Sequence, residues 1–213
     1  MTPIFITGIG TDVGKTIVSA IITEALQANY WKPIQAGFSN GTDALQIKNL
    51  ISNTKTIIYP EVYQLKMPAS PHIAARTEKV IINLQKITDA CSKYQTHNSK
   101  LIIEGAGGLL VPLNETEFVT DLILKLNAKV ILVSRNYLGS INHSLLTAEV
   151  CKQKNIDVLG WVFNDQYLHY EDEIVGWSGF QKIASIPFVE KITKKFIALQ
   201  AEKIKPSLLK VIG

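Results

Sequence analysis

The chain has 213 residues, of which 46% are hydrophobic and 19% are charged, and its formal net charge is +4 at pH 7. This composition is typical of a globular protein, and the length predicts a single domain over residues 1–213. Basic residues are scattered and form no concentrated patch, so we expect no nucleic-acid partner. No apolar run reaches the roughly 18 residues that a membrane span requires, and the N-terminus lacks the pattern of a signal peptide. We therefore expect a cytoplasmic protein that does not bind membranes.

Short apolar runs alternate with amphipathic stretches along the chain. Their periodicity predicts strands, in chain order, at residues 4–7, 30–34, 101–103, 130–134, 159–164 and 183–186. It predicts helices at residues 15–27, 42–51, 84–94, 119–126 and 141–153, with one or two surface helices at 189–209. Apolar strands that alternate with helices indicate an α/β fold, a mostly parallel sheet with helices on both faces. Cys91 and Cys151 are far apart and predict buried, reduced thiols.

A glycine-rich loop, GIGTDVGKT at residues 8–16, joins the first predicted strand to the first predicted helix. Glycines let backbone N–H groups point at phosphate oxygens, and the helix N-terminus adds partial positive charge. Lys15 can reach the β- and γ-phosphates, and the Thr16 hydroxyl can bind Mg²⁺. Five residues separate Gly8 from Gly14, whereas the usual P-loop has four, so the loop is a variant. Its GxGxxxG spacing also fails the dinucleotide fingerprint, which favours ATP over NAD.

Two acidic residues and one lysine are candidates to complete a phosphate site. Glu104 ends a predicted buried strand and precedes Gly105-Ala106-Gly107-Gly108, and a carboxylate at that end of a parallel strand can hold Mg²⁺. Asp43 follows Thr42 at a predicted helix start, where an ordinary first-turn or capping acid is the favoured interpretation from sequence alone. For Lys32, contact with a transferring phosphate and simple solvent exposure both remain open.

Several motifs follow one another in a fixed order. They are the loop at 8–16, KPIQAG at 32–37, Asp43, SPH at 70–72, EGAGG at 104–108, LGSINH at 138–143, GWV at 160–162, Asn164-Asp165 and Ile186-Pro187. Together they resemble the dethiobiotin synthetase family, and the resemblance runs from residue 4 to about residue 189.

The resemblance implies a ligase of biotin synthesis that uses ATP and Mg²⁺. Its substrates are 7,8-diaminopelargonate and CO₂, which give dethiobiotin through a carbamate and a carbamic-phosphoric anhydride, with release of ADP and phosphate. Lys15 and Lys32 are implied as catalytic, and the implied metal ligands are Thr16, Asp43 and Glu104.

The resemblance also implies two sets of binding residues. The implied nucleotide contacts are Asp12, Val13, Gly14, Lys15, Thr16, Ile17, Asp43, Glu104, Gly105, Ala106, Gly107, Asn164, Asp165, Pro187, Phe188 and Val189. The implied substrate contacts are Ala36 and, at a helix start that binds the tail carboxylate across a homodimer interface, Gly139, Ser140, Ile141 and Asn142.

The chain departs from the family pattern at two places. Ala36 stands where the family usually has Ser or Thr, whose hydroxyl contacts the substrate, so that hydrogen bond must come from elsewhere, with Ser39 or a backbone group as candidates. The stretch from 26 to 32 is short, which predicts a truncated second strand.

Three other functions are alternatives to that of a synthetase. A partitioning-type ATPase would have Lys at the position of Gly10. A cobyrinate-type amide synthetase would need a glutaminase domain for which 213 residues leave no room. A nucleotide-binding scaffold without chemistry remains open because of Ala36 and the short strand. The histidines have no metal-ligand spacing, and His97 and His169 are expected in solvated or capping roles.

Overall fold

Seven parallel strands form the main sheet of the computed structural model, which describes residues 1–39, 41–95, 99–165 and 167–213. They are β1 (Ile4–Gly8), β2 (Asn29–Trp31), β4 (Ile58–Tyr59), β6 (Leu101–Gly108), β7 (Lys129–Arg135), β8 (Val158–Asn164) and β9 (Lys182–Ile186). Their spatial order is β4-β2-β6-β1-β7-β8-β9. Two further strands, β3 (Ile34–Ala36) and β5 (Tyr63–Leu65), form a separate parallel pair.

Helices cover both faces of this sheet. They are α1 (Lys15–Leu26), α2 (Asp43–Leu50), α3 (Pro71–Thr77), α4 (Leu84–Tyr94), α5 (Val119–Lys125), α6 (Ser140–Gln153), α7 (Glu171–Ser178) and α8 (Lys194–Ile212), with a short 3₁₀ helix at Tyr167–His169. Helices α1, α2 and α8 contribute to one apolar core, and α3 to α7 contribute to the other. Strands buried on both faces have continuous apolar sequences. The prediction of a mostly parallel α/β sheet is confirmed.

The predicted strand at 30–34 is wrong in its second half. Strand β2 ends at Trp31, and Ile34 begins β3 in the separate pair. Pro33 lies between them and has no N–H to donate, so it cannot continue a central ladder. Lys32 consequently stands where the chain leaves the main sheet, at the carboxyl end of a strand that is only three residues long.

The structure corrects two other predictions and adds four elements that were not predicted. Strand β6 does not end at Glu104 but continues to Gly108, which pairs with Gly8 of β1. The tail predicted as one or two helices from residue 189 forms one helix that begins at Lys194, and its buried stripe packs against α1. Elements β4, β5, α3 and α7 were not predicted, because segments of two to eight residues are too short to show a clear period.

Two smaller predictions concern cysteine and histidine. Cys91 and Cys151 are buried and free, as predicted. His169 is exposed, and His97 lies outside the described residues. None of the described helices is long and apolar enough to cross a membrane.

Candidate active site

The glycine-rich loop lies at the carboxyl edge of the sheet, between β1 and α1. Gly14 has a φ of 89°, in the left-handed region, and directly precedes α1. A Cβ atom at this position would lie 2.3 Å from Nδ2 of Asn164. Any other residue would therefore be disfavoured both by the left-handed backbone conformation and by this clash. Asn164 ends β8 and donates from Nδ2 to the carbonyl oxygen of Val13 at 2.6 Å. This hydrogen bond fixes the loop against the carboxyl end of β8.

Four side chains from separate parts of the chain meet beside this loop. Lys32 Nζ lies 2.5 Å from Asp43 Oδ2 and 3.0 Å from Glu104 Oε1. Thr16 Oγ1 lies 2.8 Å from Glu104 Oε1 and 3.2 Å from Asp43 Oδ1. Thr42 caps α2 by accepting from Leu45 N, so Asp43 both occupies a first-turn position and faces the cluster. The structure thus brings together the residues that the sequence analysis selected as metal ligands and as a catalytic lysine.

The two lysines of the site have different electrostatic environments. Burial lowers the pKa of Lys15 from 10.5 to about 8, although Glu104 opposes this effect, and its Nζ donates to the carbonyl of Gly10 at 2.6 Å. Burial would also lower the pKa of Lys32, but the charges of Glu104 and Asp43 outweigh burial and raise it. Lys32 therefore remains a cation across the neutral and mildly alkaline range.

Two residues that hydrogen-bond to the cluster, Tyr30 and Gln35, were not predicted from the sequence. Tyr30 is fully buried, and its hydroxyl donates to Glu104 Oε2 at 2.8 Å. Burial, followed by the charge of Glu104, raises the pKa of Tyr30 well above its ordinary value, so the phenol keeps its proton. Gln35 accepts from the backbone N–H of Asp43 at 3.1 Å and donates to Gly37 O at 2.9 Å. The two-residue period of a strand was an available signal for Tyr30, since it predicts that Tyr30 and Lys32 share a face.

A cavity of about 740 Å³ opens above this cluster. The predicted binding residues that line it are Asp12, Gly14, Lys15, Thr16, Ile17, Lys32, Ala36, Asp43, Glu104, Ala106 and Gly107. Gln35, Gln46, Ser70 and Val111 also line it and were not predicted as site residues. Val13 and Gly105 were also predicted to bind the nucleotide but do not line the cavity. The Val13 side chain is buried in the core. Gly105 packs against the Phe5 ring, from which a Cβ at this position would lie only 2.6 Å away.

The predicted base-binding residues lie at the neighbouring strand ends and do not line this cavity. Asp165 follows β8, and its backbone N–H donates to Ile186 O at the end of β9. Pro187, Phe188 and Val189 follow directly, and Phe188 is exposed. Because Asn164 contacts the glycine-rich loop, these strand ends lie next to the loop along the same sheet edge.

The predicted tail-binding residues at the start of α6 are separate from the cavity within one chain. Gly139 is the N-cap with a φ of 101°, and Asn142 is exposed. Ser140 is buried, and its Oγ is hydrogen-bonded to Tyr170 OH at 2.6 Å, so its hydroxyl is occupied inside the protein. Ile141 is half-buried.

Comparison with known proteins decides the family. A family model described as an AAA domain matches residues 2–195. The ATP-dependent dethiobiotin synthetase of Cytophaga hutchinsonii is 49% identical over 96% of this chain and 97% of its own length. The chain belongs to the dethiobiotin synthetase family. The enzyme of that name from Christiangramia forsetii is 42% identical over 97% of this chain and 98% of its own length. Membership of the dethiobiotin synthetase family makes the chain a ligase, as predicted.

Solved structures share the fold at low sequence identity. The cell-division ATPase MinD of Pyrococcus furiosus has a TM-score of 0.62 at 15% identity and covers 97% of this chain and 99% of its own. Aquifex aeolicus MinD in complex with MinC has a TM-score of 0.64 at 13% identity, covering 100% and 96%. These similarities show the P-loop ATPase fold and nothing finer. The shared fold does not distinguish a synthetase from a partitioning-type ATPase. The partitioning-type alternative is disfavoured because the chain is 49% and 42% identical to dethiobiotin synthetases.

The oxygen ligands of the cluster fit the magnesium ion that ATP chemistry usually requires. Among the described residues, no group of three or more His, Cys, Asp and Glu is arranged to hold a metal. Magnesium, however, takes one or two carboxylates and completes its shell with phosphate oxygens and water. The carboxylates of Asp43 and Glu104 and the Thr16 hydroxyl are oxygen donors of the kind that such a shell needs, and both carboxylates lie within hydrogen-bond distance of that hydroxyl. The names of the dethiobiotin synthetase relatives support the use of ATP itself.

Proposed function

We propose that this chain closes the ureido ring of dethiobiotin from 7,8-diaminopelargonate, CO₂ and ATP, and releases ADP and phosphate. One observation carries the proposal. Lys32 lies between the carboxylates of Asp43 and Glu104, beside the phosphate loop, in a chain 49% identical to a named dethiobiotin synthetase. A pure nucleotide scaffold would not need a buried lysine at this point of the cavity.

The nucleotide would bind along the carboxyl edge of the sheet. Backbone N–H groups of the loop and the N-terminus of α1 would hold the phosphates, with Lys15 at the β- and γ-phosphates. Asn164 and Asp165 would contact the base, and residues 187–189 would line the same end. The contact between Asn164 and the loop supports this direction, because it joins the proposed base end to the phosphate end.

Magnesium would be held by Thr16, Asp43 and Glu104 together with phosphate oxygens. When bound, it would neutralise charge on the β- and γ-phosphates. The carboxylates already lie within hydrogen-bond distance of Thr16.

The proposed reaction has three steps. One amine of the substrate adds to CO₂ and loses a proton, which gives a carbamate. A carbamate oxygen then attacks the γ-phosphorus, the bond to ADP breaks, and a carbamic-phosphoric anhydride results. The second amine attacks the carbamoyl carbon, loses a proton and expels phosphate, which closes the ring.

Lys32 is proposed to act in the second step. A carbamate and the γ-phosphate are both anions, so their approach is opposed by charge repulsion. A cation fixed between them would offset this repulsion and stabilise the charge that develops on the transferring group. Lys32 suits this role because Glu104 and Asp43 raise its pKa above the ordinary lysine value, which keeps the ammonium protonated near neutral pH.

The substrate is proposed to lie in the cavity near Ala36, which lines it. Gln35 is the polar neighbour of Ala36 that also lines the cavity, whereas Ser39 does not line it. The tail carboxylate is proposed to bind at the start of α6 of a second copy, at Gly139, Ile141 and Asn142, through backbone N–H groups. The Ser140 hydroxyl is left out of this proposal, because Tyr170 occupies it. The proposed assembly is a homodimer.

A product assay tests the proposed function. Purified protein is given 7,8-diaminopelargonate, ¹³C-bicarbonate and MgATP, and ADP and dethiobiotin are quantified by chromatography and mass spectrometry. We expect one labelled dethiobiotin for each ADP, and no ADP when the diamine is withheld. ADP release that does not depend on the diamine would indicate an ATPase, and no turnover at all would indicate a scaffold.

A further inference from the structure

The two oxygens of the Glu104 carboxylate have separate environments. Oε1 accepts from Thr16 Oγ1 at 2.8 Å and from Lys32 Nζ at 3.0 Å, so it faces the cavity cluster. Oε2 accepts from the hydroxyl of Tyr30 at 2.8 Å. Glu104 is only 1% exposed, and Tyr30 is 0% exposed. One oxygen therefore faces the proposed metal site while the other is held by a core side chain.

The sheet explains how Tyr30 reaches this position. Tyr30 pairs with Ile102 across strands β2 and β6, and Glu104 follows two residues later on the same face of β6. The Tyr30 ring packs in the core between the sheet and helices α1 and α2. A carboxylate oxygen in such a place loses its hydration, and a hydroxyl donor offsets that cost.

We propose that Tyr30 is a positioning residue, whose hydroxyl binds Oε2 of Glu104 so that Oε1 is the oxygen presented to magnesium. The inference rests on the proposed function, in which Glu104 is a magnesium ligand. It assigns a role to a buried residue that does not line the cavity. Without the hydroxyl, Oε2 is left buried and unpaired. Because an unpaired buried oxygen is costly, rotation of the carboxylate toward the polar groups of the cluster becomes more favourable.

A merely structural tyrosine would affect stability but would leave the magnesium dependence of nucleotide binding unchanged. A positioning tyrosine would weaken the binding of the metal–nucleotide complex and leave binding of the metal-free nucleotide almost unaltered. Groups that orient metal ligands typically contribute about 10- to 100-fold in metal affinity. This contrast separates the two roles.

The test uses Tyr30→Phe, which removes only the hydroxyl, in the full chain. The matched control is Tyr63→Phe, because Tyr63 is also buried and its hydroxyl is also hydrogen-bonded, accepting from Asn83 N at 3.0 Å. ADP affinity is measured by calorimetry with excess Mg²⁺ and again with EDTA. In Tyr30→Phe, we expect the factor by which Mg²⁺ increases ADP affinity to fall about tenfold. ADP affinity in EDTA should stay unchanged, and Tyr63→Phe should show the same Mg²⁺ effect as the unaltered chain.

The proposed role of Tyr30 would be overturned if Tyr30→Phe lost ADP affinity equally in Mg²⁺ and in EDTA. It would also be overturned if Mg²⁺ increased ADP affinity by the same factor as in the unaltered chain. No enhancement in the unaltered chain would instead overturn the proposed magnesium site. If Tyr30→Phe does not fold, the change is made in a Glu104→Gln chain, in which no buried carboxylate is left without its hydroxyl partner. Because Tyr30 is proposed to act through the Glu104 carboxylate, it should then cause no further change in the Mg²⁺ enhancement, and a further loss would contradict the inference.

Discussion

Replacing Lys32 by alanine removes the cation that lies between two carboxylates. Its ammonium is 2.5 Å from Asp43 Oδ2 and 3.0 Å from Glu104 Oε1, and the side chain is buried. If Lys32 stabilises charge in the phosphoryl transfer, its loss should lower kcat by about 10²- to 10³-fold, the usual effect of removing one such group. ADP affinity should change by less than about threefold, because the loop and Lys15 supply the proposed phosphate contacts.

The same change should lower the stability of the free protein. Removing one partner of a buried ion pair costs about 3–5 kcal/mol, and we expect about 3 kcal/mol because the Asp43 side chain is 24% exposed. Denaturant unfolding measures this loss. Divalent cations alone should restore part of it, since the two carboxylates are left without a positive partner.

The assays are steady-state formation of dethiobiotin, calorimetry with ADP, and denaturant unfolding. Lys182→Ala is the matched control, because Lys182 also contacts two carboxylates, Asp172 at 2.6 Å and Glu171 at 3.6 Å, away from the cavity. Its kcat should equal that of the unaltered chain. A Lys32→Ala variant with kcat within about threefold of that value would refute the reasoning about charge, since one lost donor of this kind costs far more.

Three other predictions concern the glycine-rich loop, Ala36 and the two cysteines. Gly14→Ala should weaken nucleotide binding at least tenfold, because the left-handed backbone costs a Cβ-bearing residue about 1–2 kcal/mol and the new Cβ would clash with Asn164. Gly10→Ala is the control, because a Cβ there would meet nothing within 4 Å. Calorimetry should show almost normal nucleotide binding by Gly10→Ala. Ala36→Ser should lower KM for the diamine by up to about fivefold, the value of one hydrogen bond worth about 1 kcal/mol, and an increase in KM would show that the hydroxyl has no partner there. Burial raises the pKa of Cys91 to about 11 and that of Cys151 to about 12, so neither thiol should react with a disulfide reagent at pH 8 until the protein is denatured, and rapid labelling of the folded protein would contradict their burial.

Local patterns in the sequence were sufficient for the strands of the main sheet other than β4, and the family resemblance supplied most of the proposed catalytic cluster. The loop at 8–16 marks a strand-to-helix junction by composition, and the apolar runs at 130–134 and 159–164 need no partner to be recognised as buried strands. Glu104 was selected because parallel strands end at one edge of a sheet. Taken alone, Asp43 was favoured as a capping acid, and only the family resemblance implied it as a metal ligand. The structure brings both side chains to the Thr16 hydroxyl.

The remaining features depend on contacts between distant parts of the chain. The separate β3–β5 pair joins Ile34 to Tyr63, and neither three-residue strand has a readable period by itself. Tyr30 resembles any core aromatic residue until the pairing of β2 with β6 brings it to Glu104. The link between Gln35 and Asp43 likewise requires the turn that Pro33 imposes and the return of the chain into α2.

The central claim is that a carbamate, and not water, accepts the γ-phosphoryl group. Bicarbonate labelled with ¹⁸O is mixed in ordinary water with the diamine, MgATP and the enzyme, and the reaction is stopped before the label exchanges with the solvent. Because the carbamate oxygen bonds to phosphorus and stays there when the ring closes, the released phosphate should carry one ¹⁸O atom for each dethiobiotin formed. Unlabelled phosphate, formed while ¹⁸O is still present in the bicarbonate, would contradict the account.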